Sequence, residues 1–123
     1  MIDQQQAERF GRTWIEAWNR HDLNGIMAHY ADDVVFASPF VTILINEPDG
    51  TLHSASALRA YFSKGLAVYP ELRFELLDVL TGVRSVTLYY RSVKGKLAAE
   101  VMSLNADGLI TRVDVHYRDG ESR

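Results

Sequence analysis

Glu100 is the residue in this sequence whose type and surroundings best suit acid–base chemistry. It stands in the apolar stretch LAAEVMSL (97–104), which is predicted to be a strand. Burial alone raises the pKa of a glutamate, whereas pairing with a cation lowers it. In a dry pocket Glu100 can act as general acid or base, or donate a hydrogen bond while neutral, with Tyr89 and Arg91 assisting. The alternative is a structural glutamate that is simply paired with Arg91 or Tyr89.

Three further polar residues lie in the stretch ADDVVFASPF (31–40). Ser38 can hydrogen-bond a ligand, but it is no base near neutral pH and no nucleophile-elbow motif surrounds it. We expect it to line a pocket or to serve the fold alone. Asp32 and Asp33 are adjacent, and neighbours on a strand point to opposite sides, so they cannot flank one reacting bond. Their expected roles are turn formation and capping.

The histidines form no metal motif. His21, His29, His53 and His116 make no HxH or HxxxH pair, and the chain has no cysteine, so neither a metal site nor a thiol nucleophile is predicted. No cofactor is predicted either. His53 precedes a predicted helix and is placed to cover a pocket mouth. His116 is expected beside Asp114 on the outer side of the sheet, where it suits a subunit contact.

The composition argues against several classes of protein. The chain has 123 residues and a net charge of -3, unlike a protein that binds the phosphate backbone, so no nucleic-acid partner is expected. No apolar run approaches the roughly 18–20 residues of a membrane span. The absence of cysteine and the polar start MIDQQQAERF favour a cytoplasmic location. We predict one domain over residues 1–123, with a frayed tail at RDGESR (118–123).

Helices dominate the predicted first half of the chain. Residues 4–19 carry an apolar stripe at helical spacing, and Asp3 with Gln6 forms a plausible capping pair. Asp22 is expected to cap a short second helix. A third helix is expected to start at Ser54 or Ser56, and its apolar stripe contains Leu58, Tyr61, Phe62 and Leu66.

Strands are predicted between and after these helices. Val34–Ala37 is expected to be extended and to end at Pro39, and VTILINEPDGTLH (41–53) is expected to be partly extended around its EPDG turn. The remainder changes to a period of two residues. Four strands joined by short turns are predicted from LRFELLDVL, SVTLYYRSV, LAAEVMSL and LITRVDVHY. Three helices followed by an antiparallel meander indicate the α+β class rather than alternating βα units.

Short turns between strands determine which residues share a face of the sheet. If Lys94-Gly95 is a two-residue turn, Glu100 lies opposite Tyr89. If Leu104 pairs with Leu109, Glu100 also faces Val113. The face with more aromatic and large aliphatic bulk should receive the helices. It is predicted to collect Phe74, Leu76, Thr87, Tyr89, Arg91, Ala98, Glu100, Met102, Val113, Val115 and Tyr117.

The opposite face has an apolar centre under the same register. A large apolar patch on a sheet face usually marks an interface. We therefore expect a two-fold homodimer through this outer face. The residues assigned to it are Leu88, Tyr90, Leu97, Ala99, Val101 and His116.

The first third of the chain resembles a known superfamily. WIEAWNRHDLNGIMAHYADDVVFASP (14–39) is similar to the opening of nuclear transport factor 2-like proteins, which include SnoaL-like polyketide cyclases and steroid delta-isomerases. The similar features are an aromatic helix, the N-x-x-D-L-x-G-I turn, Y-A-D-D and a strand that ends in proline. ALRAYF (57–62) and NADGLI (105–110) fit the same plan. The resemblance extends over residues 7–118 and is specific for the fold, but weak for activity.

This resemblance implies a cone-shaped, cystatin-like α+β fold, in which a curved, mostly antiparallel sheet wraps around three N-terminal helices and encloses a pocket. The superfamily's steroid isomerases carry an aspartate base at the position of Ser38, an oxyanion-binding tyrosine at Trp14 and a protonated acid at Glu100. Only the acid is retained here, which argues against steroid isomerisation. The residues expected to line the pocket are Trp14, Trp18, Tyr30, Phe36, Ser38, Tyr61, Phe62, Phe74, Thr87, Met102, Val113, Val115 and Tyr117.

Two functions follow as hypotheses. The first is a cofactor-independent isomerase, cyclase or hydratase that uses Glu100 as acid or base, assisted by Tyr89 and Arg91. The second is a non-catalytic module of the same fold, which binds a small apolar or aromatic molecule or serves dimerisation. An open cavity that reaches Glu100 favours the enzyme, whereas a fully packed interior favours the module.

Overall fold

The computed structural model describes residues 1–118, so most of the predicted frayed tail lies outside the described residues. Helix α1 (Gln4–Asn19) begins at a complete capping box formed by Asp3 and Gln6. Helix α2 (Leu23–Met27) is capped by Asp22. Helix α4 (Ala55–Val68) begins after Ser54, whose side chain accepts the Ala57 amide. The three helices predicted from apolar spacing and caps are therefore confirmed.

A further helix, α3 (Pro39–Ile45), occupies the segment that the sequence suggested was partly extended. That prediction was wrong because the Ser38 hydroxyl caps this helix by accepting the Phe40 amide at 3.2 Å, and Pro39 is well suited to the first turn. The β-branched run that follows is unfavourable for a helix in isolation. Burial of Val41, which is 0% exposed, outweighs that preference. The helix ends at Ile45, and its C-cap residue Asn46 adopts the left-handed conformation with φ 60°.

Within residues 1–118, six strands form one sheet. They are β1 (Tyr30–Ala37), β2 (Thr51–Leu52), β3 (Glu75–Thr81), β4 (Ser85–Arg91), β5 (Leu97–Leu104) and β6 (Ile110–Arg118). Their order across the sheet is β2-β1-β6-β5-β4-β3. All neighbours are antiparallel except β1 and β6, which are parallel. The predicted α+β class and antiparallel meander are confirmed.

The register between β4 and β5 differs from the prediction by one residue. Glu100 lies opposite Leu88, not Tyr89. The connection is not a two-residue turn but a longer loop with a short 3-10 turn at Val93–Gly95, closed where the Ser92 amide donates to the Lys96 carbonyl at 2.7 Å. Because side chains alternate along a strand, this single residue reverses the face of every β4 side chain relative to β5.

Three residues predicted for the inner face are consequently on the outer one. Tyr89 is 36% exposed, and Arg91 lies 3.5 Å from Glu75 in a surface ion pair. Thr87 pairs with Val101 on the outer face. The predictions that Tyr89 and Arg91 assist Glu100 and that Thr87 lines the pocket were therefore wrong, because all three side chains lie on the other face of the sheet.

Conversely, Leu88 and Tyr90 are 0% and 2% exposed and belong to the interior. Their assignment to an outer dimer surface was wrong for the same reason. Leu97, Ala99, Val101 and His116 do lie on the outer face, and dimerisation through it stays a prediction.

The inner faces of β5 and β6 agree with the prediction, although the pairing is shifted by an irregularity between Ser103 and Leu104. Glu100 lies opposite Val115 rather than Val113, a change of two residues that leaves each side chain on its predicted face.

Helix α1 packs tightly across the inner face. A Cβ atom on Gly11 would lie 3.1 Å from side-chain atoms of Leu88 and Val79, so this glycine permits close approach of helix and sheet. No helix within residues 1–118 is long and apolar enough to cross a membrane.

Candidate functional site

A small cavity lies between the helices and the inner face of the sheet. Its volume is about 70 Å³. An engineered protein cavity of about 150 Å³ admits benzene, so a ring-sized ligand here requires side chains at the mouth to move. The lining residues are Trp14, Trp18, Phe36, Phe40, Leu44, Tyr61, Phe62, Gly65, Tyr69, Leu72, Phe74, Tyr90, Ser92, Val93, Glu100 and Tyr117.

Glu100 is the acidic residue of this lining. It is 3% exposed, and the Tyr90 hydroxyl donates a hydrogen bond of 2.6 Å to its Oε1. Burial raises the pKa of Glu100 from 4.5 to about 7, because a buried carboxylate loses its hydration. The hydrogen bond from Tyr90 opposes this rise because it stabilises the ionised form. Near neutral pH both protonation states are therefore accessible.

Phenol groups surround this carboxyl. Burial raises the pKa of Tyr30, Tyr90 and Tyr117, and the negative charge of Glu100 raises each further. The pKa of Tyr61 is also raised, chiefly by burial. These hydroxyls are consequently protonated at neutral pH and available as hydrogen-bond donors. A carboxyl group ringed by neutral donors differs from one in a salt bridge, where a cation would hold it ionised.

Ser38 lies behind this ring of phenols, 4% exposed and outside the cavity lining. Its hydroxyl caps α3, and its hydrogen-bonding interactions with Tyr61 and Tyr117 lower the pKa of each phenol against the larger effect of burial. Ser38 thus connects the start of α3 to the hydroxyl groups of Tyr61 and Tyr117. It carries no group that accepts a proton near neutral pH.

Two tryptophans one helical turn apart form the α1 side of the cavity. The Trp14 Nε1–H donates to the Tyr30 hydroxyl at 3.1 Å, and its ring stacks on Phe74 at 6.0 Å. Trp18 packs edge-on against Phe62, with ring centroids 4.7 Å apart. The buried Nε1–H of Trp18 has no hydrogen-bond partner among the described residues.

Apart from Ser38, which lies outside the lining, and Thr87, which lies on the outer face, the predicted pocket residues fall into two groups. Trp14, Trp18, Phe36, Tyr61, Phe62, Phe74 and Tyr117 line the cavity together with Glu100. Tyr30, Met102, Val113 and Val115 are buried in the adjoining core instead, at 5% exposure or less.

Several cavity residues were missed by the sequence analysis. Tyr90 was assigned to the wrong face because the 3-10 turn was taken for a shorter one. Phe40 and Leu44 were missed because α3 was, although Ser-Pro before an apolar run is a usable helix-start signal. Tyr69 follows the end of α4, where periodicity gives no prediction, and Leu72 and Val93 lie just outside β3 and β4, in segments that were predicted to be strands.

The histidines lie away from this site. His53 and His116 are exposed, and neither lines the cavity. Over residues 1–118 no three His, Cys, Asp or Glu side chains are grouped so that they could hold a metal ion. The polar chemistry within the cavity is consequently that of one carboxyl, several hydroxyls and the indole N–H groups.

Comparison with known proteins extends this description. Residues 12–113 match the SnoaL-like domain family. A SnoaL-like protein of unknown function from Burkholderia thailandensis is 40% identical, with a TM-score of 0.92 over 95% of this chain and 98% of that one. No functionally curated protein matches the chain in sequence.

More distant structures share the fold. A candidate isomerase of the SnoaL-like family from Agrobacterium tumefaciens is 17% identical, with a TM-score of 0.75 over 94% of this chain and 99% of that one. A cystatin-like protein of unknown function from Methylobium petroleophilum is 14% identical, with a TM-score of 0.75 over 99% and 83%. At these identities the likeness concerns architecture alone. The resemblance and the fold inferred from the sequence are confirmed.

Proposed function

This chain belongs to the SnoaL-like domain family, and we propose that it is a cofactor-independent enzyme that moves a proton on a small, largely apolar molecule. The reaction is of the isomerase, cyclase or hydratase type, and Glu100 is its acid or base. The observation that carries the proposal is a carboxyl group that is 3% exposed and lies in the lining of an aromatic cavity, where burial raises its pKa to about 7. A group whose pKa lies near the operating pH is best matched to both steps of proton transfer.

The proposed step is removal of a proton from the carbon next to a carbonyl group. Glu100 Oε1 is engaged by Tyr90, so the proton goes to Oε2. The electron pair of the broken C–H bond moves to the carbonyl oxygen and gives an enolate, which protonated hydroxyl or indole groups can stabilise by hydrogen bonding. Return of the proton from Oε2 to another atom of the enolate completes an isomerisation.

Tyr90 has the role that the sequence analysis gave to Tyr89. Its hydrogen bond holds one carboxyl oxygen in place, and it opposes the rise in the Glu100 pKa caused by burial. Arg91 takes no part, because it faces Glu75 on the other side of the sheet.

A steroid is not the proposed substrate. Ser38 and Trp14 stand where the resembling isomerases carry their base and their oxyanion-binding tyrosine. The cavity of about 70 Å³ is also far below the roughly 300–1,000 Å³ of typical ligand pockets. A molecule with one ring is more compatible with this space, once the half-buried side chains Phe40, Leu44 and Tyr69 at its border move aside.

The second candidate is a non-catalytic module that binds the same kind of molecule. The small volume of the cavity and the replacement of the base by Ser38 favour it. In that case Glu100 serves as a hydrogen-bond partner for the ligand and no proton is exchanged.

Hydrogen–deuterium exchange in D₂O separates the two candidates. Cyclopentanone, cyclohexanone and acetophenone, each with exchangeable protons beside the carbonyl, are followed by NMR with wild type, Glu100→Gln and Glu75→Gln. We expect the wild type and Glu75→Gln to catalyse exchange of at least one ketone, faster as the pH rises through about 7. Glu100→Gln should be slower by about 100-fold or more.

Equal exchange by wild type and Glu100→Gln would contradict the enzyme proposal. Binding of a ketone without exchange would support the non-catalytic module instead. Glu75→Gln is the matched control, because it removes a carboxylate from the opposite face of the same sheet.

A further inference from the structure

The two tryptophans of α1 differ in whether their indole N–H groups have a hydrogen-bond partner. Trp14 and Trp18 are 1% and 6% exposed, and both line the cavity. The Trp14 N–H is satisfied by the Tyr30 hydroxyl, whereas the Trp18 N–H is buried without a partner in the described residues. A buried donor left unpaired costs roughly 1–3 kcal/mol, so such a group requires an explanation.

The aromatic rings that contact Trp18 offer no oxygen acceptor for its N–H. They are Phe62 at 4.7 Å, Phe74 at 5.3 Å and Trp14 at 5.9 Å between ring centroids, and none carries an oxygen. The Trp18 side chain lines the cavity. An acceptor for this N–H can therefore be supplied by a molecule bound there.

We propose that Trp18 is a ligand-binding residue whose Nε1–H donates to an oxygen of the bound molecule, and that this molecule is a compact aromatic or cyclic carbonyl compound. The aromatic walls select a flat, apolar framework. The unpaired donor selects against the corresponding hydrocarbon, because a ligand without an acceptor leaves the N–H unpaired. This inference rests on the proposed function for the reaction that the bound molecule undergoes. Binding of that molecule can nevertheless be measured without turnover.

NMR of the indole N–H groups tests this directly, since the chain has only two tryptophans. The probes are acetophenone and α-methylstyrene, which differ in replacement of the carbonyl oxygen by a CH₂ group. We expect acetophenone to move the Trp18 indole proton downfield, α-methylstyrene to move it less, and the Trp14 signal to respond equally to both. Trp18→Phe assigns the two signals.

Affinity gives a second readout. Trp18→Phe should weaken binding of acetophenone about five-fold relative to α-methylstyrene, equivalent to about 1 kcal/mol for one hydrogen bond. Trp14→Phe is the matched control and should leave this ratio unchanged, because its N–H is already paired with Tyr30.

Three outcomes would overturn the inference. They are equal movement of the Trp18 signal by both probes, equal loss of affinity for both in Trp18→Phe, and failure of acetophenone to bind the wild type. A Trp18 shift without deuterium exchange would leave this inference standing while the catalytic proposal failed. Deuterium exchange without a shift of the Trp18 signal would support the catalytic proposal and contradict this inference.

Discussion

The two faces of this sheet surround their carboxyl groups in opposite ways. On the outer face Glu75 lies 3.5 Å from Arg91, and Asp114 lies 3.2 Å from Arg112, in pairs that are partly exposed to solvent. On the inner face Glu100 is bonded to a phenol, 2.6 Å away, and is 3% exposed. The outer carboxylates lie beside cations near the surface, whereas burial raises the pKa of the inner carboxyl to about 7, so that neither of its two forms strongly predominates near neutral pH.

The inner and outer carboxyl groups differ because of their burial and the type of their neighbours, not because of the type of acidic residue. The buried polar residues among those described are Ser38, Ser92 and Glu100. No buried lysine or arginine accompanies them in residues 1–118, so the carboxyl has only neutral hydrogen-bond donors to compensate for its desolvation. An acid in such surroundings contributes reactivity at the cost of stability, whereas an exposed ion pair contributes little of either.

The largest expected effect tests the assignment of β4 side chains to the two faces. Leu88→Ala should lower the free energy of unfolding by about 2–5 kcal/mol, because Leu88 is 0% exposed and its loss leaves a cavity beneath α1. Tyr89→Ala, one residue along the strand and 36% exposed, should cost under about 1 kcal/mol. Urea denaturation of both variants gives the comparison. A larger loss for Tyr89→Ala would mean that the faces are reversed.

The next effect concerns the pH dependence of stability. Glu100 has a pKa of about 7 in the folded protein against an ordinary value of 4.5, so the folded state binds the proton more tightly than the unfolded state. Its contribution is fully present below about pH 4.5, declines as the pH rises and is lost above about pH 7, by roughly 3 kcal/mol in total. Glu100→Gln should remove this decline.

Chemical denaturation between pH 5 and pH 8 measures this effect, with Glu75→Gln as the control for a lost carboxylate on the outer face. We expect the control to retain the wild-type decline. A wild-type protein whose stability did not fall relative to Glu100→Gln over this range would show that Glu100 ionises at its ordinary pKa.

The smallest effect separates adjacent phenols. Tyr90→Phe removes the hydrogen bond that lowers the pKa of Glu100, so that pKa should rise further, and stability at neutral pH should fall by about 1 kcal/mol. Tyr89→Phe should change neither quantity. Infrared titration of the protonated carboxyl band measures the pKa in both variants. An unchanged midpoint of the carboxyl titration in Tyr90→Phe would show that Tyr90 does not influence the pKa of Glu100.

Much of this fold was predictable because its signals are local. Asp3, Asp22 and Ser54 cap helices where the sequence placed those caps, and the inner faces of β5 and β6 follow from alternation. Glu100 was identified as the buried acid for the same reason. Each of these features depends on residues within a few positions of one another along the chain.

The error in the face of the β4 residues arose because the loop between β4 and β5 is longer than the predicted two-residue turn. The 3-10 turn at Val93–Gly95 includes Lys94 with φ 58° and Gly95 with φ 72°, a conformation that the dipeptide Lys-Gly does not distinguish from a two-residue turn. The resulting shift of one residue in the register makes Tyr90, rather than Tyr89, the hydrogen-bond partner of Glu100. The cavity border formed by Phe40, Leu44, Tyr69 and Val93 depends on tertiary packing and could not be read from periodicity.

Ser38 has a consequence for how this fold changes its chemistry over evolution. The Ser38 side-chain oxygen accepts a hydrogen bond from the Phe40 amide at the start of α3, and serine and aspartate are about equally favourable as helix caps. Exchange between them therefore leaves the helix start intact while it adds or removes a carboxyl group beside Tyr61 and Tyr117. The helix cap imposes no structural barrier between a scaffold with one acid and a scaffold with two. Proteins that descend from a common ancestor can therefore gain or lose this carboxyl group without a change in the fold.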